Sequence, residues 1–330
     1  MKKFTKLLIG LGTTALVVGS LAACSNQGGA QEQSGDGGGT VPGVDSGLTI
    51  ALVTHAAPGD TFWDIVRKGA EDAAAAYGVD LQYASDPDGS RQSQLVQQYV
   101  DQGVDGIAVS LAKPDAMQSS VEAAVAADIP VVSINAGEDR WKDMGILAHF
   151  GQNEEKAGIA LGEYLQKDGY QHPICVIQEQ GHVGLEARCA GIKSIIPGTE
   201  ILYVNGQDMT QVESTVTASL QASTSADIII GLGAPFALTI QQAATKAGSD
   251  IKVGSFDLNA DVAQQIKDGG ILFGVDQQPY LQGYLAVEAL VLNNTGGFVI
   301  GGGEPVLTGP AIVDTSNVDA VLEYAQEGKR

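Results

Sequence analysis

Three successive stretches decide the fold: LTIALV over Leu48–Val53, FWDIVRKGAEDAAAAY over Phe62–Tyr77, and DLQYA over Asp80–Ala84. The first is a continuous apolar, β-branched run, which predicts a strand buried on both faces rather than one shared between core and water. The second sets apolar residues at helical spacing among many alanines and predicts a helix. The third predicts another strand. Strand, helix and strand of this kind form a βαβ unit on a parallel sheet.

The same rhythm runs outward from there. Helices are predicted over Gln92–Gln102 and Ala116–Ala126, with strands over Gly106–Ser110 and Ile129–Ile134. The pattern then begins again. Strands are predicted at Ile146–Phe150, Ile174–Gln178, Glu200–Val204, Ile228–Ile230, Lys252–Phe256 and Leu272–Val275. Helices fall between and after them, from Glu155–Leu165 to Leu281–Leu292. A single closing strand is expected over Val306–Val313, with a short last helix near Val318–Gln326. The fold class is therefore α/β: two consecutive doubly wound parallel-sheet lobes of similar make-up. In such sheets a ligand sits outside the carboxyl ends of the strands. The loops at those ends hold two of the four histidines, His55 and His182, and many Asn, Gln and aromatic residues. That chemistry suits a polyhydroxylated ligand, whose C–H faces stack on rings and whose hydroxyls need directed partners.

Ahead of the first strand, Lys2, Lys3 and Lys6 precede an uncharged, mostly apolar run, Leu7–Ala22, that ends in Leu21-Ala22-Ala23-Cys24. A basic start, a short apolar run and a small-residue cleavage site make a secretory signal, and the run is too short to span a bilayer. Its end resembles a bacterial lipobox, which implies removal of residues 1–23 and lipidation of Cys24. Residues 24–47, rich in Gly, Ser, Gln and acids, read as a flexible tether. The folded part is expected from Leu48, and its about 280 residues suit two domains.

The 18 Lys and Arg, less the leader's three, leave 15 against 39 Asp and Glu, a net charge near −24. A surface this acidic argues against nucleic acid or anionic lipid as a charge-driven partner. Beyond Cys24, the cysteines are Cys175, in a predicted strand, and Cys189, in the helix after it. An oxidising compartment permits a disulfide between them; two buried free thiols are the alternative. No Cys/His spacing suggests a metal, and His55, His149 and His182 are scattered along the chain. No cofactor is expected. Gly231-Leu232-Gly233-Ala234-Pro235-Phe236 opens a helix as a dinucleotide fingerprint does. Phe236 replaces its third glycine, and Pro235 removes an amide that a phosphate would need. No Gly-x-Ser-x-Gly elbow is present.

Several short pieces keep a specific order and spacing. They are Ile50-Ala51-Leu52-Val53, then Asp60-Thr61-Phe62-Trp63, with Gly69-Ala70 beyond; Gly103-Val104-Asp105-Gly106-Ile107; and Ala127-Asp128-Ile129-Pro130-Val131-Val132. His149-Phe150-Gly151-Gln152-Asn153 follows and leads into Ala157-Gly158; then come Arg188 with Gly191, Val253-Gly254-Ser255-Phe256-Asp257, and Asp276-Gln277-Gln278-Pro279. With these the chain, from about Leu48 to Val313, resembles the ribose/galactose-type periplasmic binding proteins of the type I fold.

The resemblance implies a solute-binding lipoprotein, not an enzyme. It would be exported, anchored at the outer face of the cytoplasmic membrane or in the periplasm, and monomeric. It would capture a sugar-like ligand by hinge closure and pass it to ABC permease subunits. A receptor that presents a bound signal to a membrane sensor is the other role open to such a protein. Phe62 and Trp63 fall on the family's ring-gripping aromatics, and Asp60 near a polar contact in the same loop. Asn135 stands where sugar binders often have Asp followed by Arg; here Ala136 follows. Arg188 matches the arginine that reaches sugar hydroxyls, Asp257 the carboxylate after the Gly-x-Phe-Asp strand, and Gln277 the amide at the last crossover. Gly233-Ala234 replaces the family's Asn-Asp, so an ordinary pentose or hexose is not implied. The lobes are expected over 48–152 plus 277–303 and over 153–276 plus 304–330, joined by three crossovers.

Overall fold

The apolar run that opens the folded part forms strand β1 (Thr49–Thr54), buried from Ile50 onward. The structure, a computed structural model, describes residues 45–330; the leader, Cys24 and nearly all of the tether lie outside the described residues. The first lobe continues with α1 (Thr61–Tyr77), β2 (Asp80–Ser85), α2 (Gly89–Gln102) and β3 (Gly106–Ser110). It goes on through α3 (Pro114–Ala126), β4 (Val131–Asn135) and β5 (Ala148–Gln152). The chain then builds the second lobe: α4 (Glu154–Lys167), β6 (Pro173–Ile177), α5 (Val183–Ile195), β7 (Glu200–Tyr203) and α6 (Met209–Ala222). That lobe adds β8 (Ile228–Gly231), α7 (Ala234–Ala247), β9 (Lys252–Phe256), α8 (Ala260–Lys267) and β10 (Phe273–Asp276). Helix α9 (Pro279–Gly296) and β11 (Val306–Gly309) return to the first lobe, and β12 (Ala311–Asp314) with α10 (Asp319–Gln326) closes the second.

The two six-stranded sheets run β11-β5-β4-β3-β1-β2 and β12-β10-β9-β8-β6-β7. Matched by position, β1 corresponds to β6, β4 to β9 and β5 to β10. The edge strands differ in sense: β11 is parallel to β5, whereas β12 is antiparallel to β10. Each sheet is covered on both faces by separate apolar clusters, which is why its central strands read as unbroken hydrophobic runs. Cys175 on β6 and Cys189 on α5 form a disulfide that ties the helix to the strand before it.

The expected boundary after Gly303 is corrected. The stretch read as one strand, Val306–Val313, is two, and each belongs to a different sheet. Residues 304–309 go with the first lobe, and the third crossing is at Gly309–Pro310. Pro310 has no amide to extend a ladder. The chain remains extended across the break, so apolar content alone does not reveal it. All three crossings meet here. A Cβ on Gly309 would lie 2.8 Å from Gln277 Cα and 3.1 Å from Gln152 Oε1, so a side chain has no room.

Candidate ligand-binding cleft

The carboxyl ends of β1, β4, β6, β8 and β9 face one cavity of about 540 Å³ between the lobes, within the usual range of small-molecule sites. Asp60, Phe62, Trp63, Asn135, Arg188, Asp257 and Gln277, expected from sequence, all border it. The lobes also touch directly. The Val183 amide donates to the Ala112 carbonyl at 3.1 Å, Lys113 pairs with Glu179 at 2.8 Å, and Asn259 Nδ2 donates to Thr61 Oγ1 at 3.3 Å.

One wall is the start of α1. Asp60 is its N-cap, and its Oδ1 accepts from the Phe62 amide at 3.1 Å. Burial pushes the Asp60 carboxyl up to about 6, against the pull of that amide. The rings of Phe62 and Trp63 lie edge to face, 5.0 Å apart, and Trp63 meets the His55 ring at 4.8 Å. Both aromatics border the cavity, and both belong to the core cluster beneath β1. Core and cleft are therefore two sides of one wall.

The opposite wall is set by Arg188 on α5. Glu154, the first residue of α4, grips its guanidinium with two hydrogen bonds, from Nε at 2.6 Å and Nη2 at 2.8 Å. The Gln152 amide donates to the same carboxylate at 2.8 Å. Glu186, two residues before Arg188 on α5, accepts from the Tyr203 hydroxyl. Helices α4 and α5 come close enough for the Arg188–Glu154 pair because Gly158 and Gly191 face one another; a Cβ on Gly158 would overlap the Arg188 carbonyl. Arg188 Nη1 donates to the Leu232 carbonyl at 3.3 Å and stands 3.8 Å from Asp257 Oδ2. Burial alone would lower the Arg188 pKa. Glu154 first, then Asp257 and Asp60, outweigh it and hold the guanidinium charged.

The floor is a chain of amides and a carboxylate at the hinge. Gln277 Nε2 donates to Asp257 Oδ1 at 2.7 Å, and Gln277 Oε1 accepts from Asn135 at 3.3 Å and from Gln282 at 2.9 Å. Asn135 ends β4 and Asp257 follows β9, so the two come from equivalent strands. Both have left-handed backbones, at φ 68° and 63°. Asn and Asp tolerate that conformation best among non-glycine residues. Burial pushes the Asp257 carboxyl up to about 7, although Arg188 and Gln277 favour its charged form.

Sequence reasoning missed Glu154, and it misplaced two histidines. Far from being scattered, His55 and His182 meet with their Nε2 atoms 3.1 Å apart, and Glu179 lies beside them. Each follows one of the equivalent strands β1 and β6; strand correspondence, rather than spacing, is the signal that pairs them. His149 stays apart, buried in its sheet against Ser133 Oγ at 2.9 Å. The cleft thus combines an aromatic wall, carboxyl groups, a fixed cation and several amides, which together match a ring bearing many hydroxyls.

Comparison with known proteins bears on this cleft. A family model described as a periplasmic binding protein domain matches residues 50–296. A carbohydrate transporter from Acidothermus cellulolyticus, solved in complex with myo-inositol, is 48% identical; the match covers 86% of this chain and 99% of that one, with a TM-score of 0.85. A solute-binding protein from Burkholderia graminis in complex with D-arabinose is 27% identical over 82% of this chain and 96% of its own, with a TM-score of 0.73. The ribose import binding protein of Bacillus subtilis is 27% identical over 74% of this chain and 79% of its own length. The xylose/arabinose-binding protein of Sulfolobus acidocaldarius is 24% identical over 74% of this chain, which spans 65% of that relative.

Proposed function

Because the chain belongs to the periplasmic binding protein family, we propose that it captures a cyclic polyol, myo-inositol before any other, and hands it to an ABC import permease. The observation that carries this reading is the polar belt of Asp60, Asn135, Arg188, Asp257 and Gln277 around the Phe62–Trp63 wall. Six hydroxyls on a carbocycle each donate and accept a hydrogen bond, and such a belt offers both kinds of partner on either side of the ring. The 48%-identical protein holds myo-inositol. Ala136 and Gly233-Ala234, where sugar binders carry Arg and Asn-Asp, also favour a ligand other than an ordinary pentose or hexose.

The mechanism is capture without chemistry. Ligand bridges residues of both lobes and shifts the hinge equilibrium toward the closed form, and the permease reads that form. Such a protein works outside the cytoplasmic membrane; lipidation of Cys24 would keep it at the outer face. The test is a thermal-shift and calorimetric panel of cyclitols, pentoses, hexoses and nucleosides. Myo-inositol at 100 times its dissociation constant is expected to add about 2.7 kcal/mol of stability. Binding of a nucleoside or hexose with no response to any cyclitol would refute the assignment.

A further inference from the structure

The two histidines that meet across the cleft belong to a hydrogen-bond chain whose proton order follows from its partners. His182 is the N-cap of α5, and its Nδ1 accepts from the amides of Gly184 at 3.1 Å and Leu185 at 3.3 Å. A nitrogen that accepts amide protons carries none itself, so the neutral ring holds its proton on Nε2. That N–H donates to His55 Nε2. His55 in turn has its proton on Nδ1 and donates to Ser110 Oγ at 2.7 Å; that oxygen's second lone pair takes the His55 backbone amide at 3.0 Å, and the Gln92 side-chain amide turns to the Ser110 carbonyl at 2.9 Å. The order leaves His182 no lone pair for a cation, even with the Glu179 carboxylate alongside.

A second proton breaks the chain wherever it goes. On His55 Nε2 it would face the N–H of His182; on His182 Nδ1 it would face two amides and the positive end of α5. The surroundings give it no relief. Lys113, ahead of α3, and Arg188, on α5, add positive charge, while Glu179, on the loop after β6, is paired with Lys113. Asp60, on the loop after β1, is engaged by the Phe62 amide. Trp63 packs its ring against His55. Burial, then Lys113, pushes His55 down to about 3. Burial, then His55, Arg188 and Lys113, holds His182 well below its ordinary value.

We propose that His55 and His182 form a clasp between the lobes that closes only when both rings are neutral. In the open form each ring meets water and titrates near 6.5. The clasp's contribution is then complete above about pH 6.5 and is lost as pH falls below it. Two rings that must be neutral weaken ligand binding about 100-fold between pH 7.5 and pH 5.5, and one ring about tenfold. Asp60 and Asp257 act in the opposite sense, because burial favours their protonated forms. The comparison with a histidine variant therefore decides, not the wild-type slope alone.

The clasp rests on the polyol reading only for its probe. Calorimetry of myo-inositol at the two pH values should give a ratio of dissociation constants about 100-fold larger in wild type than in the double variant His55→Ala, His182→Asn, in which Asn keeps the helix cap. Equal ratios overturn the clasp. A ligand-free measurement separates the two readings: energy transfer between dyes on the two lobes should report more closed protein at pH 7.5 than at pH 5.5 in wild type and no such difference in the variant. If myo-inositol binds neither protein, the polyol reading fails and energy transfer alone decides; wild type that does not respond to pH, or that responds as the variant does, overturns the clasp.

Discussion

Replacing Glu154 by Gln keeps the size of the side chain and removes the charge that holds Arg188. Both residues are buried, at 7% and 3% exposure, and the carboxylate supplies two of the guanidinium's hydrogen bonds. Breaking such a pair leaves one charge buried without compensation, which costs about 3–5 kcal/mol. In a chain of this size that lowers the melting temperature by about 6 °C or more. Asp257 Oδ2, 3.8 Å away, becomes the acid paired with the guanidinium, with Asp60 acting more weakly. Arg188 should swing toward it and distort the polar belt, so affinity should fall as well. Denaturant titration with an unchanged slope would report the stability change, and calorimetry the affinity. The double replacement Glu154→Leu, Arg188→Met should recover most of the stability, because an apolar pair needs no desolvation. It should not recover binding. A loss below about 1 kcal/mol in Glu154→Gln, or normal affinity in the double variant, would refute the reasoning.

Trp63→Ala is expected to weaken ligand binding about thirtyfold or more and to cost the ligand-free protein about 3–5 kcal/mol, since the ring serves both core and cleft; lost stability with intact affinity, read by calorimetry, would remove it from the site. Reducing the Cys175–Cys189 disulfide, which spans 14 residues, should cost about 3 kcal/mol in urea unfolding; identical curves with and without reductant would contradict this. Asp257→Asn tests the raised carboxyl: wild type should lose stability relative to the variant as pH rises through about 7, and parallel melting curves from pH 5 to pH 8 would reject the burial argument.

The strand–helix alternation was legible because each central strand is covered on both faces and so reads as one apolar run. The strand ends were legible for the same reason, since a doubly wound sheet puts them in one place; the choice of Asp60, Asn135, Arg188, Asp257 and Gln277 came from the family resemblance, and Arg188 lies within α5 rather than at a strand end. The pairing of Arg188 with Glu154 was not legible, because it depends on two helices approaching through Gly158 and Gly191. The His55–His182 contact needs the closed arrangement of two lobes, and spacing of 127 residues carries no hint of it. The break at Gly309–Pro310 escaped notice because an extended chain can change sheets without changing its hydrophobic pattern.

That break also governs the order in which the protein is assembled. Helix α9, which packs along α1, and the edge strand β11 are made only after the whole second lobe. The first lobe therefore remains unfinished until about residue 309 emerges, and contacts that join such distant segments form slowly. A chain released early would expose the apolar face of α1, including Val66 and Ala70, with nothing to cover it. Vectorial synthesis thus leaves the first lobe without its last helix and edge strand until the chain is nearly complete.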